Sequence, residues 1–147
     1  MKSSIRTFVL AAIAAASMAA FAHNASAQIY ARVTTSNPVI PPSGTATPNA
    51  VILGEAGTYV LGGQQMVVVS GNQPTEVYCW VSTKSGSGPL GTGAYAGQTV
   101  AGGLATLPLN GWYTTSAPTE LYVVCDYAGS NALVQTYNGN ITATLVH

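Results

Sequence analysis

The sequence predicts an all-β fold: an antiparallel β-sandwich of about eight strands, with a small closed barrel as second choice. Three observations carry this. Good helix formers are scarce, and only 5% of the residues are charged. Gly, Pro, Thr, Ser and Val are common, which favours turns and pleated strands over helix. Short apolar or alternating runs recur, with turn residues between them.

The first 27 residues read as a cleaved signal peptide, leaving one domain over 28–147. Lys2 and Arg6 form a basic start, and an alanine-rich apolar run follows. Ala25-Ser26-Ala27 then supplies the small-x-small pattern of a cleavage site. The apolar run is shorter than the ~20 residues that span a bilayer, so no membrane span is expected after cleavage. The alanine-rich style is bacterial. The expected location is the periplasm or the extracellular space.

Charge excludes several functions. Past residue 27 the cations are Arg32 and Lys84, and the acids are Glu55, Glu76, Glu120 and Asp126. Two cations cannot build a groove for nucleic acid, where each phosphate contact calls for a positive group.

Both cysteines, Cys79 and Cys125, fall in the exported part. An even count in an oxidising compartment predicts a disulfide between them.

The elements follow in order. "IYARVTTS" (29–36) is a first strand, and "NPVIPPSGTATPN" (37–49) is a crossing or irregular edge, since proline cannot donate to a ladder. "AVIL" (50–53) is a short strand. "TYVLGGQQMVVVS" (58–70) reads as a hairpin turning at Gly62-Gly63. "EVYCWVS" (76–82) is a strand, and "TKSGSGPLGTGAYAG" (83–97) reads as a long glycine-rich loop. "QTVAGGLATLPL" (98–109) gives one or two strands, with a turn expected at Asn110-Gly111. "TELYVVCDY" (119–127) is the second cysteine strand. "ALVQTYNGNITATLV" (132–146) reads as a hairpin turning at Asn138-Gly139.

Two of these segments nearly repeat each other: "QPTEVYCW" (73–80) and "APTELYVVC" (117–125). Strand side chains alternate faces, so each can be sorted by parity. Val77, Cys79 and Val81 share one face, and Leu121, Val123, Cys125 and Tyr127 share the matching face of the other strand. That aliphatic face is the core face, so the bridge is expected in the core. Glu76, Tyr78 and Trp80, with Glu120, Tyr122 and Asp126, fall on the outer faces.

This arrangement resembles immunoglobulin-like domains in general form. There, two cysteines on different sheets bridge the core with an aromatic residue nearby. Here Trp80 follows Cys79 directly and points to the opposite face, and Tyr122 stands three residues before Cys125. The likeness is one of architecture, and architecture does not carry function.

Catalytic chemistry is poorly supplied. His23 leaves with the signal peptide and His147 is the last residue, so no Ser-His-Asp or Cys-His site is expected. Neither a metal site nor a cofactor is predicted. "SGSGPLGTG" (85–93) lacks the Lys-Ser/Thr ending of a phosphate loop.

The expected function is therefore non-enzymatic, through surface interactions with a protein partner, a glycan or a second copy. The candidate binding patch is Glu76, Tyr78, Trp80, Glu120 and Tyr122, because exposed aromatics beside polar groups stack on sugars or anchor partners. The terminal run "NITATLV" (140–146) could serve self-association if it lies on a sheet edge. The alternative is a small glycan-acting enzyme using Glu76 and Glu120 as its paired carboxylates.

Overall fold

Inward-facing apolar residues at period two force this chain into sheets that must cover one another. A computed structural model describes residues 29–34, 38–42, 44–84, 88, 94–129 and 132–146. Residues 1–27, read above as a signal peptide, lie outside the described residues, as do most of the glycine-rich stretch 85–93 and His147. The strands are β1 (Ile29–Thr34), β2 (Val39–Ile40), β3 (Ala46–Leu53), β4 (Gly57–Ser70) and β5 (Thr75–Ser82). They continue with β6 (Tyr95–Val100), β7 (Gly103–Pro108), β8 (Gly111–Thr115), β9 (Thr119–Ala128) and β10 (Leu133–Val146).

They form two antiparallel sheets. In the first, β10 and β4 are central. β1 and β2 flank β10, and β7 and β8 flank β4. The second runs β3-β9-β5-β6. The inner faces meet in one core, with Tyr59, Leu61, Val67, Leu107 and Ile141 from one side and Leu53, Val77, Val81, Leu121 and Val123 from the other. The sandwich is as expected, and the parity of both cysteine strands holds: Val77, Cys79, Val81, Leu121, Val123 and Cys125 are all fully buried.

The disulfide forms, Cys79 to Cys125, with Cα atoms 4.1 Å apart. The two residues are direct register partners on β5 and β9. The bridge therefore staples neighbouring strands within one sheet, unlike the inter-sheet bridge of immunoglobulin-like domains.

Three expected turns are not turns. Tyr59, Leu61, Gln65, Val67 and Val69 all face inward, so the alternation runs straight through Gly62-Gly63 and β4 is one strand of 14 residues. Gly63 is needed there for a different reason. A Cβ on it would strike the carbonyl oxygen of Asn140 and lie 3.0 Å from Ile141 Cα.

Asn138-Gly139 is a bulge inside β10, where the register to β4 slips between Tyr137 and Gly139. A bulge inserts one residue, so the inward parity changes from Val134 and Thr136 to Ile141, Ala143 and Leu145.

At Asn110-Gly111 the chain also runs on. Gln64↔Pro108 and Leu61↔Gly111 keep a single register along β4. Strand assignment breaks there beside Pro108, which has no N–H to give to the ladder. Among the described residues there are thus ten strands, because straight passages replace hairpins while short pieces gain the status of strands.

True corners occur where the chain changes sheets. Gly71 (φ 127°) lies between β4 and β5, and Gly102 (φ 79°) precedes Gly103 (φ 94°), which opens β7. A Cβ on Gly102 would sit 2.6 Å from the carbonyl oxygen of Gly71, so the two corners pack together.

Candidate functional site

The near-repeat turns out to be one local conformation used twice. Thr75 and Thr119 each open a strand and turn the hydroxyl back on a carbonyl two residues earlier. Thr75 Oγ1 donates to Gln73 O at 3.2 Å, and Thr119 Oγ1 to Ala117 O at 2.9 Å. In each case the following glutamate then accepts a hydrogen bond from the tyrosine two residues on. Tyr78 donates its hydroxyl proton to Glu76, and Tyr122 donates to Glu120 Oε2 at 2.7 Å.

The two copies run antiparallel as neighbours. Laying Thr75 on Thr119 lays Trp80 on Val124, and these two are register partners. An approximate two-fold axis thus passes through the Trp80–Val124 pair, normal to the sheet. It sends the two Glu-Tyr pairs to opposite ends of the outer face. Glu76 lies across from Ala128, eight residues along β9 from Glu120. At strand rise that is a separation of roughly 27 Å. This corrects the paired-carboxylate expectation, since acid and base must flank one glycosidic bond within about 10 Å.

Trp80 is a second correction. It stands on the outer side by parity but is only 7% exposed, beside fully buried Val124. Its ring packs into the middle of the face and is not presented for stacking.

The patch of five therefore divides. Glu120 and Tyr122 stand at one end, across from Ile52 and Ala50 of β3. Glu76 and Tyr78 stand at the other, where the edge strand β6 completes a site. Glu76, Tyr78, Tyr95, Gly97, Gln98 and Thr99 line an open depression of about 300 Å³. Tyr78 lies directly across from Gly97, and a Cβ on that glycine would be 2.8 Å from Tyr78 Cδ1. The missing side chain lets the ring lie down over β6. Tyr95 meets it at 6.2 Å between centroids and 27° between planes, and is itself 54% exposed. On the far side of Tyr78, Asp126 is its partner on β9.

The hydrogen bond from Tyr78 to Glu76 pushes the Tyr78 hydroxyl up to about 12, with partial burial and the nearby negative charge acting in the same direction. Tyr122 is raised as well, first by its bond to Glu120. Both tyrosines thus keep their protons and donate them. Among the described residues, no lysine, arginine or histidine lines the depression.

Sequence reasoning missed Tyr95, Gly97, Gln98 and Thr99. The glycine-rich reading of 83–97 took Tyr95 and Gly97 into a loop, whereas they belong to β6. The signal that was present is the alternation Tyr95-x-Gly97-x-Thr99 on one face. The terminal run 140–146 is not an edge, because β10 pairs with β1 on one side and β4 on the other.

No protein-family profile matches the chain, and no curated protein matches it by sequence. Solved structures do resemble its fold. A protein of infectious bursal disease virus, Gx strain, aligns with TM-score 0.59 and 11% identity over 81% of this chain and 33% of its own. Eiger TNF from S. frugiperda aligns with TM-score 0.56 and 8% identity over 82% of this chain and 93% of its own. The chain thus spans about a third of the length of the viral protein. These likenesses concern the β-sandwich.

Proposed function

We propose that the protein is an exported, non-enzymatic binding module of the periplasm or extracellular space that holds a neutral sugar in the Tyr78–Tyr95 depression. The observation that carries this is the Tyr78–Tyr95 pair laid over Gly97 beside the Glu76 carboxylate. Two rings offer apolar area to the C–H face of a sugar. Glu76 and Thr99 offer acceptors and a donor for its hydroxyls. With an acid present and no cation among the described lining residues, an anionic ligand would be repelled. The disulfide supports export, and no helix among the described residues is long and apolar enough to cross a membrane.

A glycan array followed by calorimetry on a hit tests the reading. Binding of a neutral glycan is expected, weakened about tenfold or more in Tyr95→Ala, as for truncation of an anchoring aromatic. Gly97→Val fills the depression and should abolish it. Glu120→Gln at the far end should leave it unchanged. A silent array, or affinity indifferent to Tyr95→Ala, overturns the reading.

A further inference from the structure

The two outer faces of the sandwich differ in kind. Glu76, Glu120 and Asp126 all belong to the four-stranded sheet. The strands β2, β4, β7, β8 and β10 of the other sheet contain no charged residue at all. Its remaining strand, β1, holds Arg32 at an edge.

This sheet, with Arg32 its one charged residue among the described strands, also carries most of the exposed apolar side chains. Of nine large hydrophobic residues exposed among those described, seven belong to it: Val39, Val60, Leu104, Trp112, Leu133, Tyr137 and Val146. Register puts them on one face in two groups. Toward one end Leu104, Val68, Gln135 and Val39 form a row across β7, β4, β10 and β2. Toward the other, Trp112, Val60 and Thr144 form a row across β8, β4 and β10. The two apolar groups thus lie toward opposite ends of β4, with Gly62, Gln64 and Asn140 between them. Patches of this extent mark interaction sites.

We infer that this face is the interface between two copies of the chain, packed sheet on sheet about a two-fold axis. Size is the first argument. The sheet is two to four strands wide, on average about three, along the 14 residues of β4. At standard spacings that is about 16 Å by 46 Å, roughly 700 Å², within the range of about 600–1,000 Å² per partner that specific interfaces bury. Charge is the second argument. A two-fold contact sets the same surface against itself, so any charge on it would meet its own image or lose water unpaired. The five strands β2, β4, β7, β8 and β10 contain none, whereas the acidic face would repel its copy. The geometry also leaves both Tyr78–Tyr95 depressions pointing outward, so that a dimer would present two.

Sedimentation equilibrium of the disulfide-bonded chain tests this. A dimer is expected, with Trp112 shielded from acrylamide as concentration rises. Val60→Glu and Leu104→Lys, at the two ends of the face, should each weaken association at least tenfold. Both positions are more than half exposed, so melting temperature should change little. A wild-type monomer at millimolar concentration overturns the inference, as does a dimer indifferent to both substitutions. A wild-type monomer that floats with phosphatidylcholine vesicles overturns it in favour of a lipid surface. Sugar affinity measured on the same variants is a separate readout, so failure here is distinguishable from failure of the sugar reading.

Discussion

Asn49 and Gln65 are joined across the core, Nδ2 to Oε1 at 2.7 Å, tying β3 of one sheet to β4 of the other. Gln65 is 1% exposed and also donates Nε2 to Tyr137 O at 2.7 Å and Met66 O at 2.9 Å. Tyr137 stands where β10 bulges, and Asn49 stands where the β3 register slips. A bulge takes a residue out of the ladder, and a buried side-chain amide can occupy the group released. Gln65→Ala should therefore cost about 2–4 kcal/mol, from lost hydrogen bonds and an emptied site. Urea unfolding checks it; a loss below about 1 kcal/mol would show the network to be incidental.

Gly139 makes room for that amide pair. A Cβ there would collide with Gln65 Oε1 and lie 2.7 Å from its Cδ. Because three hydrogen bonds hold Gln65, it cannot swing aside. Gly139→Ala should destabilise by roughly 1–3 kcal/mol in the same unfolding measurement. Coupling is expected too: combined with Gln65→Ala, the alanine at 139 should cost much less than alone.

The disulfide should be detectable and substantial. Mass spectrometry with and without reductant should show both thiols blocked until reduction. Its residues are separated by 46 in sequence, for which the chain-entropy relation gives roughly 4 kcal/mol. Cys79→Ala with Cys125→Ala should lose about that much.

Alkaline titration reads the Glu76–Tyr78 contact. The proton on Tyr78 is held more tightly in the folded state, whose value of about 12 lies above the ordinary 10. The contribution to stability is therefore complete below about pH 10 and is lost as pH rises toward 12. Subtracting the 295 nm absorbance titration of Tyr78→Phe from that of the wild type should isolate a transition near 12. Glu76→Gln should move it down. An isolated transition already at 10 would mean that the two side chains do not meet in solution.

Local patterns sufficed where only the alternation of faces was in question. The core sides of β5 and β9 could be read from Val77, Cys79, Val81 and Leu121, Val123, Cys125, because burying an aliphatic row fixes parity. The same alternation ran through Gly62-Gly63, where glycine meets a close backbone and makes no turn. At Asn138-Gly139 the change of parity signalled a bulge that the Asn-Gly pair disguised as a hairpin.

By itself the sequence determined the sandwich, the inward faces and the cysteine pairing, since these follow from period-two burial and from a single possible bridge. It also determined the scarcity of charge and histidine. Tertiary structure alone decided which outer-face residues meet, because that depends on register between strands distant in the chain. Antiparallel pairing of β5 with β9 sent Glu76 and Glu120 to opposite ends. Pairing of β5 with β6 set Tyr78 over Gly97 and beside Tyr95, making a site from two segments that no local pattern connects.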